Sequence, residues 1–456
     1  MARKQPAITV RAVQWGMTAS ASPTAGWFPV ARSTEVGTTP VPVGAGGAAW
    51  VVVRLRPDAE VSAFPARCPH RLVPLAAGTV VDGTLQCPYH GWRFGADGRC
   101  AEVPSLGPEG TPPPRADLRV PVVEERHGWI WLAPGPADAP PPAPAADPTV
   151  ERAPAPPAPP GRVFGNLDPA LEHAWHPVAR SPELPPDGCL QIRLLGRNWT
   201  LRRGGDGLDV EPRAYGVRER LGLIWLAPAE PVDVPLEFPE DGDRVFVAGW
   251  LPPERSTGPA GPLADNFLDV AHFPFVHAAT FGAADEKEVP AYDVAHESGG
   301  FTSVQEQWCD NPQDPAVAAG TRPLRQRRRA TYVYRAPFQL RLRLEFLESG
   351  AVTTILFLLQ PEDGESTRIY CCLLLHAGPD QPLPSPEVVA QEVEFEQRVL
   401  AEDLDLQAEM QSSGLPLVMR DELHVRADRL GVALRRSLID FTQAAGLLSG
   451  ALSSPR

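Results

Sequence analysis

Cys68-Pro69-His70-Arg71-Leu72-Val73-Pro74 and Cys87-Pro88-Tyr89-His90-Gly91-Trp92 place two thiols and two imidazoles within one short span of a 456-residue chain. Each stretch offers one cysteine and one histidine, as Cys-x-His and then Cys-x-x-His, with sixteen residues between His70 and Cys87. The pairing fits a [2Fe-2S] cluster in which one iron takes both cysteines and the other both histidines. Neutral imidazoles in place of two anionic thiolates raise the reduction potential of such a cluster. Two cysteines and two histidines also make a tetrahedral zinc set. Zinc fingers, however, gather the cysteines on one knuckle and the histidines on the other, whereas here each loop carries one of each.

These residues resemble the Rieske family. The likeness rests on Cys68-Pro-His-Arg, Pro74-Leu75, Gly78, Leu85, Cys87-Pro-Tyr-His-Gly-Trp-Arg-Phe and Gly98-Arg99-Cys100. The respiratory members carry an extra cysteine in each loop. Neither loop has one here, and position 73 is valine. The resemblance therefore points to the lower-potential kind found in oxygenases and soluble ferredoxins.

A chain of this length is expected to hold two to four domains, and its 43% of hydrophobic residues can fill their cores. A formal charge of -14 excludes the broad basic stripe of a nucleic-acid binder. The run Arg325 to Arg329 is read as a solvated edge. Seven cysteines, two of them needed as thiolates, argue for a reducing, cytoplasmic compartment rather than a disulfide scaffold. Cys100, Cys189, Cys309, Cys371 and Cys372 are expected as small buried hydrophobes. The most apolar stretches, Val352 to Gln360 and Ile369 to Leu375, are too short to span a bilayer, and no signal peptide is read at the N-terminus.

The composition divides the chain. Residues 1–26 are expected as a mobile N-terminus. Alternating apolar residues at Trp50 to Leu55, Val61 to Phe64, Val120 to Val123 and Trp129 to Leu132 predict short antiparallel strands in a β-domain over 27–134. Residues 135–165, rich in Pro and Ala, predict a stiff extended linker. Beyond it the chain repeats itself. Trp27-Phe-Pro-Val-Ala-Arg-Ser33 returns as Trp175-His-Pro-Val-Ala-Arg-Ser181, and Trp129-Ile-Trp-Leu-Ala-Pro134 as Leu223-Ile-Trp-Leu-Ala-Pro228. The offsets are 148 and 94, so the second copy is 54 residues shorter, and the missing part carries the cluster ligands. Residues 166–240 are thus expected as a second, clusterless Rieske-like β-domain. From 241 to 445 the pattern predicts an α+β domain: a helix over 265–277 broken near Pro274, strands at 331–334, 338–346, 351–359 and 368–376 forming a curved antiparallel sheet, and covering helices at 386–411 and 421–442. Residues 446–456 are a tail.

A redox cluster needs an electron acceptor. His272 and His277, five residues apart, could face one ion across the proline break, and two histidines with one carboxylate form the facial triad of non-haem Fe(II) oxygenases. The segment Asn266-x-x-Asp269-x-x-His272-x4-His277 resembles the iron-binding motif of the Rieske non-haem iron oxygenases. By that resemblance the third ligand is Asp403, with Asp405 the runner-up, while Glu402 and Asp405 are otherwise solvated helix charges. The resemblance also gives Asp269 the role of linking an iron-binding histidine to a cluster histidine of a neighbouring subunit, and sets Asn266 near the iron. It covers residues 27–134 and about 245–442; the duplicated middle segment departs from it. The implied protein is a terminal oxygenase similar to the single-subunit vanillate demethylase type, with a [2Fe-2S] cluster and a mononuclear Fe(II). It would use O2 on a small hydrophobic or aromatic substrate, by monooxygenation rather than ring dihydroxylation. Lacking a dinucleotide fingerprint, it would take electrons from a separate NAD(P)H-dependent reductase, directly or through a ferredoxin. A head-to-tail homotrimer would bring one subunit's cluster to the next one's iron. The alternative is an electron carrier or redox sensor whose C-terminal domain only binds.

Overall fold

A computed structural model describes residues 26–453 apart from 145–146, 156–157, 206, 284 and 380, so the expected mobile N-terminus lies almost wholly outside the described residues. The architecture is α+β, mostly sheet. Its first unit joins a three-stranded sheet of Phe28–Arg32, Val122–Arg126 and Trp129–Ala133 to a second of Val41–Ala45, Ala48–Arg54 and Val61–Pro65. Trp129–Ala133 is buried at every residue, because Trp131 and Ala133 face one small cluster and Ile130 and Leu132 another. A four-stranded sheet, Thr79–Val81, Thr84–Gln86, Arg93–Phe94 and Cys100–Glu102, carries the two cysteine-histidine loops.

The wiring of the first two sheets recurs in the middle segment. Phe28 pairs with Leu132 and Arg32 with Trp129; His176 pairs with Leu226 and Arg180 with Leu223, and each ladder bulges after its proline, at Pro29 and Pro177. Trp131 donates its indole N–H to the Arg126 carbonyl and Trp225 to that of Arg220, both at 3.1 Å. Trp50 and Trp199 likewise reach back five residues to the carbonyls of Ala45 and Leu194. The strands Cys189–Leu194, Arg197–Gly204 and Gly207–Glu211 complete the second three-stranded sheet. Among the described residues nothing in this segment corresponds to the four-stranded sheet with its loops. The exposed position of Cys189 corrects the expectation that it is a buried hydrophobe; it starts an outer strand whose first residue faces water.

The C-terminal unit is built on an eight-stranded antiparallel sheet whose long strands are Gly300–Asp310, Arg325–Arg335, Gln339–Phe346, Val352–Asp363 and Ser366–His376. One face, with Ile355, Phe357, Ile369 and Cys371, packs under the helices Ala260–Leu268, Pro386–Met410 and Arg429–Ser453. The opposite face, with Leu356, Leu358, Tyr370 and Leu374, is covered by Trp175 and Trp225 of the middle segment. Both faces are buried, which is why these strands read as continuous apolar runs.

Three element expectations are corrected. The break in the 265–277 segment comes at Asp269 to His272, ahead of Pro274, which sits instead in the first turn of a short helix, Phe273–Val276, where its missing N–H costs nothing. The last helix starts at Arg429 and runs to Ser453 through the expected tail, while 421–428 holds only short 3-10 turns. The run Arg325 to Arg329 is not a solvated edge but part of an inner strand that alternates, with Gln326 and Arg328 buried.

Candidate metal centres

Two loops aim four donors at one point. Cys68 N–H donates to the Val73 carbonyl and Cys87 N–H to that of Trp92, closing each loop over its own cysteine. Leu72 and Gly91 take left-handed conformations at the tips, and a Cβ on Gly91 would overlap the Phe275 ring. Cys68, His70, Cys87 and His90 are all buried. The His70 and His90 rings lie 4.3 Å apart, and neither cysteine is in a disulfide. Burial pushes the Cys68 thiol up, whereas the hydrogen bond from Cys68 and the backbone N–H groups of Tyr89 and His90 bring Cys87 down to about 7. His70 Nδ1 is buried without a partner while its Nε2 binds Asp428 Oδ1 at 3.0 Å, so its free nitrogen is left for a ligand bond. This donor set fits a [2Fe-2S] cluster.

The second centre joins residues up to 131 positions apart in sequence. His272 and His277 bracket the short Phe273–Val276 helix, which turns both rings inward, and Asp403 comes from the middle of the Pro386–Met410 helix. The two Nε2 atoms are 3.1 Å apart, and Asp403 Oδ1 lies 3.6 Å from His272 Nε2 and 3.3 Å from His277 Nε2. One ligand atom from each of the three falls within 4.8 Å of the others. Two imidazole nitrogens and a carboxylate oxygen converging on one point fit a divalent cation, and the ligand types fit iron. Burial and the neighbouring His277 lower His272 to about 4. For His277 burial also opposes charge, but Asp403 and Glu402 outweigh it and raise the ring to about 9. Asp405 is exposed.

Glu402 is not a solvated helix charge. Its Oε2 accepts from His277 Nδ1 at 2.8 Å and from the Thr280 hydroxyl at 2.9 Å. One helix residue before Asp403, it reaches the far nitrogen of the same ring.

Asp269 joins the two centres. Its Oδ2 lies 2.5 Å from His90 Nε2, and its Oδ1, held by the Ala271 N–H at 2.7 Å, is 4.0 Å from His272 Nδ1. Burial works against its charge, but His90 and the hydrogen bond to it hold the carboxyl below its usual range. Both histidines that this carboxylate approaches belong to one chain, whereas the resemblance gave it a role between two subunits. Asn266 stands beside it, its amide donating to the Tyr89 hydroxyl at 3.1 Å, and it lines the cavity that reaches Asp403.

Sequence reasoning missed the rest of this seam. Arg71, next to His70, pairs with Asp265 and Asp428, and Arg435, fully buried, pairs with Asp265 and Glu422. The Arg71–Asp428 pair joins residues more than 350 positions apart. Beyond the histidines opens a cavity of about 650 Å³, walled by Phe267, Phe273, Phe281, Leu342 and Ile355.

Residues 26–123 match the Rieske [2Fe-2S] domain, and residues 259–442 match the vanillate O-demethylase oxygenase C-terminal domain. The chain is 29% identical over 289 residues to a probable methylxanthine N7-demethylase, NdmC, of Pseudomonas sp. (strain TJI-51), covering 60% of this chain and 96% of that protein. It is 38% identical over 108 residues to the oxygenase subunit of 3-chlorobenzoate-3,4-dioxygenase of Comamonas testosteroni, spanning 23% of this chain and only a quarter of that one. Among solved structures, the QL mutant of NdmA of Pseudomonas putida CBB5 with theobromine aligns over 92% of each chain at 20% identity with a TM-score of 0.36. No described helix is long and apolar enough to cross a membrane.

Proposed function

The chain belongs to the Rieske non-haem iron oxygenases, and from that premise we propose that it is a terminal oxygenase that inserts one oxygen atom into a small hydrophobic or aromatic molecule, by hydroxylation or demethylation. Cys68, Cys87, His70 and His90 would hold the cluster; His272, His277 and Asp403 would hold the Fe(II). When bound, the cluster supplies single electrons and the mononuclear iron supplies dioxygen activation. Glu402 keeps the proton on His277 Nδ1, leaving Nε2 free to bind metal, and Asp269 fixes His90 in the same way. The aromatic cavity excludes water and orients the substrate beside the histidines. Electrons would come from a separate NAD(P)H-dependent reductase, directly or through a ferredoxin, in the cytoplasm.

One observation carries this reading: a single buried carboxylate, Asp269, touches a cluster histidine and stands 4.0 Å from an iron-site histidine. A pure electron carrier would have no use for the three convergent donors behind it. Iron analysis tests the choice. About three irons per chain are expected, and two would return the chain to the carrier reading. The middle segment is read as a duplicated Rieske-like module without its cluster loops, its surviving sheets recruited to cover the back of the catalytic sheet. Domain limits near 27–134, 166–240 and 241–445 follow from that reading. The head-to-tail homotrimer would then be an assembly of chains whose metal-to-metal link is already closed within each.

A further inference from the structure

The Pro386–Met410 helix that supplies Asp403 brings two further carboxyl groups to the same side. Glu392 and Glu396 are four residues apart and Glu396 and Asp403 seven, so successive turns set all three on one face, about 6 Å and 10 Å apart along the axis. All three line the cavity at His272 and His277, with Glu392 outermost, one turn from Val388, which is exposed. Glu396 and Asp403 also share a separate void of about 20 Å³. Its polar wall is Glu396, Asn266 and Asp403, and the rest is apolar, including Leu263, Phe357 and Leu400. That is room for one water, and three polar groups are enough to hold it.

The other carboxyl groups near the two histidines are already engaged: Asp269 with His90 and the Ala271 N–H, Glu402 with His277 and Thr280. Glu392 and Glu396, both half-buried, make no hydrogen bond or ion pair to a protein group among the described residues. Facing them are Asp403 on their own helix, His277 beyond the short Phe273–Val276 helix, Arg328 from the Arg325–Arg335 strand, and Cys371 and His376 from the Ser366–His376 strand. Burial pushes Glu392 up to about 7, and burial followed by the charge of Asp403 does the same for Glu396. An acid in that range both gives and regains a proton at neutral pH.

Insertion of one oxygen atom consumes protons. The O–O bond breaks, one oxygen forms the new C–O–H of the product, and the other leaves as water after taking two electrons, which NAD(P)H supplies through the reductase, and two protons. A cavity walled by Phe267, Phe273 and Phe281 and filled by substrate excludes the bulk water that would otherwise deliver them.

We infer that Glu392, Glu396 and one water held beside Asn266 form a proton relay from the cavity mouth to the site at Asp403. Glu396 gives its carboxyl proton to the water, the water passes one on inward, and Glu396 is reprotonated from Glu392, which draws on solvent. The relay rests on the oxygenase reading, and the two can fail separately. The full chain, loaded with both metals and pre-reduced with dithionite, is mixed with O2 in a stopped-flow instrument in the presence of anisole, a neutral aromatic probe. Re-oxidation of the cluster is read from its visible absorption, and Asp403→Ala, lacking the iron site, gives the baseline for direct oxidation by O2. The wild type is expected to exceed that baseline and to slow in D2O. Glu396→Gln should fall about 100-fold, or to the baseline, with iron content and cluster absorption unchanged. Added formic acid should restore its rate in proportion to concentration, which a merely structural role would not permit. Infrared spectra of the resting protein read the proton without turnover: a carboxylic-acid C=O band at neutral pH that shifts in D2O and is lost in Glu396→Gln. Should that variant fail to fold, Glu396→Asp, still an acid but one methylene shorter, should shift the band and slow the reaction in part. A Glu396→Gln rate equal to the wild type, no rescue by formic acid, an unchanged Glu396→Asp, or the absence of the exchangeable band would each overturn the relay alone. A wild-type rate no faster than that of Asp403→Ala would overturn the oxygenase reading and the relay with it.

Discussion

Asp269 is placed by two short contacts, 2.5 Å to His90 and 2.7 Å from the Ala271 N–H, and the break in the helix at this residue is what turns it toward the cluster loops. Asp269→Asn replaces an anionic acceptor with a neutral amide of the same shape. The variant is expected to keep the cluster absorption and the bound Fe(II) but to slow oxidation of the pre-reduced cluster about 10–100-fold, as loss of an orienting carboxylate does. Stopped-flow single turnover measures this, and an unchanged rate would remove the linking role. Glu402→Gln should instead weaken Fe(II) retention by a similar factor, read by chelator competition, with the cluster untouched. The structure gathers the seven donors that the sequence offered: four lie in two short spaced motifs, His272 and His277 share a third segment with Asp269, and Asp403, on a later helix, was reached through the family resemblance. Glu402 was not, since a helical carboxylate beside a ligand looks the same in sequence whether it faces water or the far side of an imidazole.

At the level of elements, the repeat was legible from identical residues, and its strands carry the same pairings and the same bulge. It also isolates one substitution. His176 stands where the first copy has Phe28, fully buried, its Nε2 bound to the Leu171 carbonyl at 2.7 Å, and burial lowers it to about 4. Because the folded ring resists protonation and the unfolded one does not, the unfolded state binds the extra proton first as pH falls below about 6.5. Stability is therefore lost between pH 6.5 and about 4, by up to ~3 kcal/mol from this residue. His176→Phe should flatten that part of the profile of urea midpoint against pH; an unchanged slope would assign the loss elsewhere. The buried Arg435 was less legible. On the Arg429–Ser453 helix it looks like any surface arginine, yet it holds Asp265 and Glu422. Arg435→Met would strand Glu422 and leave Asp265 to Arg71 alone, and an unfolding cost of about 3–5 kcal/mol is expected by chemical denaturation. The arginines of 325–335 could have been resolved by their period of two, which the density of positive charge obscured.

The whole molecule brings the cluster loops and the iron-site donors together in one chain, and the shortness of the linker favours this. Its composition predicts an extended strap, but not where the strap is tied. Glu151 accepts the Gly44 N–H through its carbonyl and the Gly47 N–H through its side chain, and Gly44 has no room for a Cβ against Arg152. At the other end Gly161 N–H donates to Asp421 at 2.9 Å, and the Leu417 N–H donates to the Arg162 carbonyl at 2.9 Å. Eight residues, 153–160, separate these ties, and a stretch of that length even fully extended reaches about 30 Å. A cluster unit tethered that closely is held against its own catalytic unit by His90–Asp269, His70–Asp428 and Arg71–Asp265 together. The consequence is separable from any oligomeric state. A chain with His70→Ala loses its cluster, and one with Asp403→Ala loses its iron site; co-expressed with different tags and purified through both, such chains would complement each other only if electrons crossed between subunits. The intramolecular path predicts that the doubly tagged assembly has no more activity than either variant alone, and that the wild-type rate per chain is unchanged on dilution through any dissociation seen by sedimentation. Recovery of a sizeable fraction of wild-type turnover in the mixed assembly would instead show that the carboxylate bridge is made between subunits.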